Sequence, residues 1–230
     1  MKGENIQMEL LEAIKSRKSV RGYKPTPVSK QILAEVLGVA TRAPSAMNIQ
    51  PWGFTILGGK VLDDLKESLQ EKFLDGERTN CDFGQFPPFP GVYRERQVEL
   101  AKTLFQLMDI AREDKGKRTE WQLKMMRFFD APNAIIITVD GEVSGFLSIF
   151  SLGSVIQTIA LAALNFGLGT CIELDPIFYP EVIRQITGIP KSQKIAAGLA
   201  IGYPDWDFPA NKLKSSREPL SNIATWHGVQ

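Results

Sequence analysis

The 230-residue chain is poor in the side chains that enzymes most often use. It has one histidine, His227, close to its end. A zinc site built on several imidazoles, or a two-histidine iron site, cannot come from one copy of such a chain. A Ser-His-Asp triad would have to use that terminal residue. Its two cysteines, Cys81 and Cys171, form no CxxC pair. This excludes a disulfide framework or a cysteine-held cluster and fits a reducing compartment. No Walker sequence, HExxH or GxSxG occurs. Basic and acidic residues nearly cancel, 27 against 26. No global field therefore points to nucleic acid or an anionic membrane as a partner. Residues 1–11 carry Glu4 and Glu9 and no apolar h-region, which argues against a signal peptide and for a cytoplasmic protein. If the chain is an enzyme, a borrowed cofactor is the first idea to test.

Charge is also missing from Val143 to Ile172. The stretch is long enough to span a bilayer. However, Ser144, Ser148, Ser151, Ser154, Gln157 and Asn165 interrupt it, and acidic residues follow it. The expected structure is a helix over 148–166, buried on all faces of a globular core.

Elsewhere, helical spacing of Ile6, Leu10, Leu11 and Ile14 predicts a helix over 6–16. Ser29 is placed to cap a second helix with an apolar stripe of Ile32, Leu33, Val36, Leu37 and Ala40, ended by Pro44. Further helices are predicted over 60–74, 95–113, 117–129 and 180–187, and strands over 53–57, 134–139 and 195–201. Between the third and fourth helices lies a loop rich in proline and phenylalanine, a type more often functional than idle. Helices and strands do not alternate regularly. The fold class expected is α+β, with a central, mostly antiparallel or mixed sheet flanked by helices.

Four segments could carry chemistry, and each has a plain structural alternative. Lys15, Arg17, Lys18 and Arg21, with Ser16 and Ser19 between them, suit a phosphate group or merely complement a helix C-terminus. The run from Pro44 to Trp52 sets Ser45, Asn48 and Gln50 between prolines, to read the polar edge of a flat ligand or to form a turn. Gly167-Leu168-Gly169-Thr170-Cys171 follows a helix instead of opening one, so it is no dinucleotide fingerprint; it is a close-approach surface or a tight turn. Lys212, Lys214 and Arg217 either reach back to a phosphate or form a solvated tail.

Together and in this order, the four segments resemble the flavin-dependent nitroreductase family. The family's R-x-S-x-R opening is Arg17, Ser19 and Arg21; its P-S-x-x-N-x-Q-P-W turn is Pro44, Ser45, Asn48, Gln50, Pro51 and Trp52. Its G-L-G-T-C turn is 167–171, and its closing R-x-P-L and Trp are Arg217, Pro219, Leu220 and Trp226. The resemblance runs from about residue 10 to 227. It implies one domain over 1–230, with a loop and helical insert at about 75–129 near the active site, and a homodimer that shares two FMN sites. Arg17, Lys18, Ser19, Arg21 and Arg217, helped by Lys214, would hold the phosphate and ribityl chain. Pro44, Ser45, Ala46 and Asn48 of the partner subunit would meet the ring, and the backbone of Ile172, Glu173 and Leu174 would lie along it. Glu173 stands where members with T-C-P-Q carry an amide. No residue is assigned direct catalysis or metal binding. NADH or NADPH would reduce the flavin, and a nitroaromatic, quinone or similar flat acceptor would reoxidise it, with Tyr93, Phe105, Phe128 and Phe129 as stacking candidates. The alternatives are a specialised reaction of the superfamily, such as reductive dehalogenation or flavin breakdown, or flavin binding without turnover.

Overall fold

The computed structural model describes residues 8–77 and 80–229. Its frame is a four-stranded sheet of β1 (Trp52–Gly58), β2 (Asn133–Asp140), β3 (Gly169–Glu173) and β4 (Gln193–Gly202), in the order β1-β2-β4-β3. Every neighbouring pair is antiparallel. Among the described residues seven α-helices surround it: α1 (Leu10–Ser16), α2 (Lys30–Ala40), α3 (Gly59–Leu74), α4 (Gly91–Leu107), α5 (Lys115–Met126), α6 (Phe146–Leu164) and α7 (Pro180–Thr187). This is the α+β arrangement expected from the sequence.

The sheet is covered on both faces, which is why β2 reads as a continuous apolar run. Ile135, Ile137 and Val139 point to one face, against Val36 of α2 and Val155 and Ile159 of α6. Ile136 points to the other, towards Leu62, Leu65 and Leu69 of α3, Trp121 of α5 and Ile183 of α7. Each isoleucine so buried contributes about 1.5–3 kcal/mol. Ser29 does cap α2, accepting from the Ile32 amide at 3.2 Å. The loop after α3 is held by Asp82, whose carboxylate takes the Arg184 guanidinium at 2.6 Å and the Ile195 amide at 2.7 Å.

Several expectations need correction. The helix expected from residue 6 starts at Leu10, and residues 6 and 7 lie outside the described ones. The helix expected over 95–113 is α4, over Gly91–Leu107. The glycine turn 167–171 leads directly into β3, a strand too short to show a pattern in the sequence. The charge-free helix is α6, and it is not buried on all faces: Phe146 and Phe150 are 80% and 70% exposed. The sheet and α2 cover one side of α6 and leave the other side of its first turns bare. Among the described residues α6 is the one helix long and apolar enough to cross a membrane; here it packs on α2 and the sheet.

The helix expected over 117–129 is α5, which stops at Met126. Phe128, Phe129 and Asp130 then take φ of 54°, 53° and 59°. Three consecutive non-glycine residues in the left-handed region are costly and need strong packing to hold them. The turn tucks Phe128 under β4, where a Cβ on Gly198 would come within 2.7 Å of the Phe128 ring and 3.3 Å of the Glu173 carbonyl oxygen. Only glycine leaves room there. Gly198→Ala is expected to cost about 1–3 kcal/mol through overpacking, read as a lower denaturation midpoint in urea; an unchanged midpoint contradicts this packing.

Candidate functional site

After α1, the chain runs along the free edge of β3. The Val20 amide donates to the Thr170 carbonyl at 2.9 Å, and Ser19 bridges Thr170 in parallel fashion. The backbone therefore sets Ser19 and Arg21 beside β3. Gly22 passes so close to Phe208 that a Cβ would run into its ring.

The second half of the site comes from the far end of the chain. Asn211 is buried, and its side chain joins the two ends. Its Oδ1 accepts from the Arg21 amide at 2.6 Å; its Nδ2 donates to the Gly22 carbonyl at 2.8 Å and the Asp205 carbonyl at 2.7 Å. The Asn211 carbonyl accepts from Lys18 Nζ at 2.7 Å. All the hydrogen-bonding capacity of a primary amide except one acceptor site is used. In this segment Lys212, Lys214 and Arg217 stand out in the sequence, and Asn211 does not. A lone asparagine beside cations carries no signal of such a clamp.

The clamp sets a cationic cavity of about 540 Å³ between the two ends, lined by Lys15, Arg17, Lys18, Lys214, Ser215 and Arg217 among others. Among the described residues none of Arg17, Lys18, Arg21, Lys214 and Arg217 pairs with a carboxylate. Burial, and then repulsion from Lys214, lowers the pKa of Lys18. Like charges gathered without counter-charges are arranged for an anion. Arg217 turns its guanidinium back on the Ser215 carbonyl and hydroxyl and the Ser216 carbonyl, which fixes its place on the rim. A second groove of about 890 Å³, between α4 and residues 213–218, shares Lys214 and Arg217 with the first. The Arg96–Glu218 ion pair, at 2.7 Å, lies in its wall.

β3 supplies the neighbouring surface. Ile172 and Leu174 face outward and are exposed, while Glu173 points inward and is 4% exposed. Its Oε1 has no hydrogen-bond partner among the described residues. Burial, with the nearby Asp175 charge also raising it, pushes the carboxyl pKa up to about 8 against the opposing pull of the Cys171 thiol and Arg21. Burial likewise pushes the Cys171 thiol and the Tyr23 phenol well above their usual ranges, so neither is a reactive anion.

The Pro44–Trp52 turn lies elsewhere, packed on the first half of α6, with the Ala46 amide on Ser151 Oγ at 3.3 Å. Met47, Asn48 and Gln50 all have positive φ, and Met47 is largely exposed. Neither Pro44, Ser45, Ala46 nor Asn48 lines the cationic cavity of its own chain. The aromatic candidates also separate. Phe128 and Phe129 are core residues and not stacking surfaces: the left-handed turn drives Phe128 under β4 and Phe129 against Trp121 at 5.5 Å. Phe105 is half-buried, edge-on to Trp121, with Arg118 over its ring at 4.9 Å. Tyr93 alone is exposed, in the first turn of α4, beside Arg96.

Asn211→Ala removes three side-chain hydrogen bonds and leaves the part-buried Arg21 amide without its acceptor. The expected cost is about 2–4 kcal/mol, seen in urea denaturation together with weaker anion binding; full stability would contradict the clamp.

The comparisons with known proteins agree with this geometry. The family model described as "Nitroreductase family" matches residues 14–203. The chain is 30% identical to a 4-nitrobenzoate reductase of Pseudomonas putida, over 94% of each chain. Its fold superposes on the FMN and NADPH-dependent nitroreductase NfnB of Sphigopyxis sp. strain HMH with a TM-score of 0.92 and 26% identity, covering 96% of this chain and 100% of that one. It also matches the FMN-dependent NfnB of Mycobacterium smegmatis, solved in complex with NADPH, with a TM-score of 0.88 and 26% identity over 95% of this chain and 100% of that one. With the arginine-serine opening and the closing basic segment gathered around one cavity, the chain belongs to the nitroreductase family.

Proposed function

We propose that this protein is an FMN-dependent oxidoreductase that takes hydride from NADH or NADPH and passes the electrons to nitroaromatics, quinones or similar flat acceptors, in alternating half-reactions. The observation that carries the reading is the set of cations from both chain ends around one cavity, none neutralised by a carboxylate. The donor set suits a phosphate monoester. Arg17 and Arg217 offer guanidinium forks, Lys18 and Lys214 add point charges, and Ser215, with Ser19 on the adjoining segment beside β3, adds hydroxyls.

When bound, FMN supplies the hydride and electron transfer. This chain's residues then have positional and electrostatic work. Arg17, Lys18, Lys214 and Arg217 anchor the phosphate end. Arg21, fixed through its own amide by Asn211, would offer positive charge beside β3 to a flavin that gains negative charge on reduction. The backbone of Ile172, Glu173 and Leu174 gives a flat edge along which a planar ring fits, and Tyr93 is left as the aromatic available to an acceptor. Solvent supplies protons, so His227 needs no part. Of the insert expected at about 75–129, α4 walls the second groove through Val92, Glu95, Arg96 and Leu100, which supports its place near the site.

The turn with Pro44, Ser45, Ala46 and Asn48 does not line the cavity of its own chain, which supports a role at the site of a second copy. The bare side of α6 supports the same conclusion. Phe146, Leu147, Ile149 and Phe150 there, with Leu10, Leu11 and Ile14 of α1, are exposed apolar residues that a partner would cover. A homodimer with both sites shared between subunits accounts for them. The chemistry fits the cytoplasm, where reduced nicotinamide nucleotides are found.

The purified protein is expected to sediment as a dimer and to carry a flavin absorption band. NADH or NADPH should bleach that band without oxygen, and a nitroaromatic should restore it. A colourless protein that neither takes up FMN nor bleaches would overturn the reading.

A further inference from the structure

One buried polar group remains unused by this account. Glu173 is enclosed on the inner face of β3, beside the Cys171 thiol on the same strand and Tyr23 and Arg21 on the segment that runs along it, with Asp175 two residues further along the chain. Phe128 and Gly198 close the floor beneath its backbone. One carboxyl oxygen has no hydrogen-bond partner among the described residues. A stably ionised carboxylate in such a place would need a cation or several donors. Arg21, the one cation acting on it, lies beyond ion-pair distance. An oxygen left unpaired in a polar cluster is instead what a neutral acid tolerates, and such an acid can ionise and reprotonate as nearby charge changes.

We propose that Glu173 is a proton-holding, positioning residue of the cofactor site: its enclosed carboxyl takes up one solvent proton when negative charge arrives on a flavin held by Ser19 and Arg21. This rests on the FMN reading above and assigns the inner face of β3 a part in it. The balance is simple. A hydride carries two electrons and one proton, so its arrival adds one negative charge to the site. Ionised Glu173 takes one proton from solvent hydronium: one O–H bond breaks in the hydronium, leaving water, and one forms on the carboxyl, leaving a neutral acid. Arg21 favours the ionised acid, Asp175 the neutral one, and Cys171 and Tyr23 stay protonated and face it as neutral groups.

The sign of the effect follows. With its pKa raised to about 8, Glu173 is already neutral at lower pH and cannot take up a further proton. Above that pH it is ionised before reduction and reprotonated by it. The midpoint potential of the FMN-loaded wild type should therefore fall with pH more steeply than that of Glu173→Gln above about pH 8, by up to one proton per two electrons, while the two run parallel below it. Curves parallel at every pH overturn the proposal. Infrared spectra of flavin-free wild type, differenced against Glu173→Gln, provide an independent readout that needs no bound cofactor. A protonated-carboxyl band at roughly pH 6 that fades by roughly pH 10 is expected; no band at the lower pH overturns the neutral acid. If the protein binds no FMN, the FMN reading itself fails and takes the potential-coupled half of the proposal with it, while the infrared titration still decides the state of the acid.

Discussion

The site depends on one buried amide. Asn211 ties the segment after α1 to the segment after β4, although the two are 190 residues apart in sequence at the Arg21 contact. Its three side-chain bonds are all to backbone, so they fix where the chain goes without using up a charged side chain. Without that constraint, Arg17 and Lys18 would be cations after a short helix, and Lys214 and Arg217 cations on a tail. The clamp turns two unremarkable basic segments into one electropositive cavity in a chain of nearly zero net charge.

Holding like charges together opposes folding, and the rest of the structure offsets it. The two cores on either face of β2 supply the burial. The backbone ladder from Val20 to Thr170 and from Lys24 to Tyr203 carries the basic segment along a sheet edge, so its position is set by strand pairing and not by its side chains. A phosphate bound in the cavity would relieve the repulsion and so link cofactor binding to stability. Glu173 extends the same electrostatics to the inside of β3, where a carboxyl is kept neutral close to a cationic surface.

Much of this was legible in the residues. The helical stripe and Ser29 cap of α2, the β-branched run of β2 and the turn glycines all spoke through local periodicity and propensity. The basic segments and the P-S-x-x-N-x-Q-P-W turn stood out by composition. What stayed hidden was long-range. β3 is five residues long and is a strand only because β4 and Val20 pair with it. Phe128 and Phe129 looked like an aromatic surface because a left-handed turn, which no local preference of phenylalanine favours, sends them into the core. The bare side of α6 could not be told from a buried one, since both are apolar. Asn211 gave no signal, because its partners are backbone groups far off in sequence.

The central claim is that the joined chain ends recognise a phosphate on a flavin. The most direct measurement is calorimetric titration of the flavin-free protein with FMN and, in parallel, with riboflavin, which has the same ring and ribityl chain but no phosphate. Several charge-assisted contacts of about 1.5–3 kcal/mol each predict FMN binding at least about 100-fold tighter, with the advantage shrinking as salt rises. Equal affinity for the two, insensitive to salt, would contradict the account.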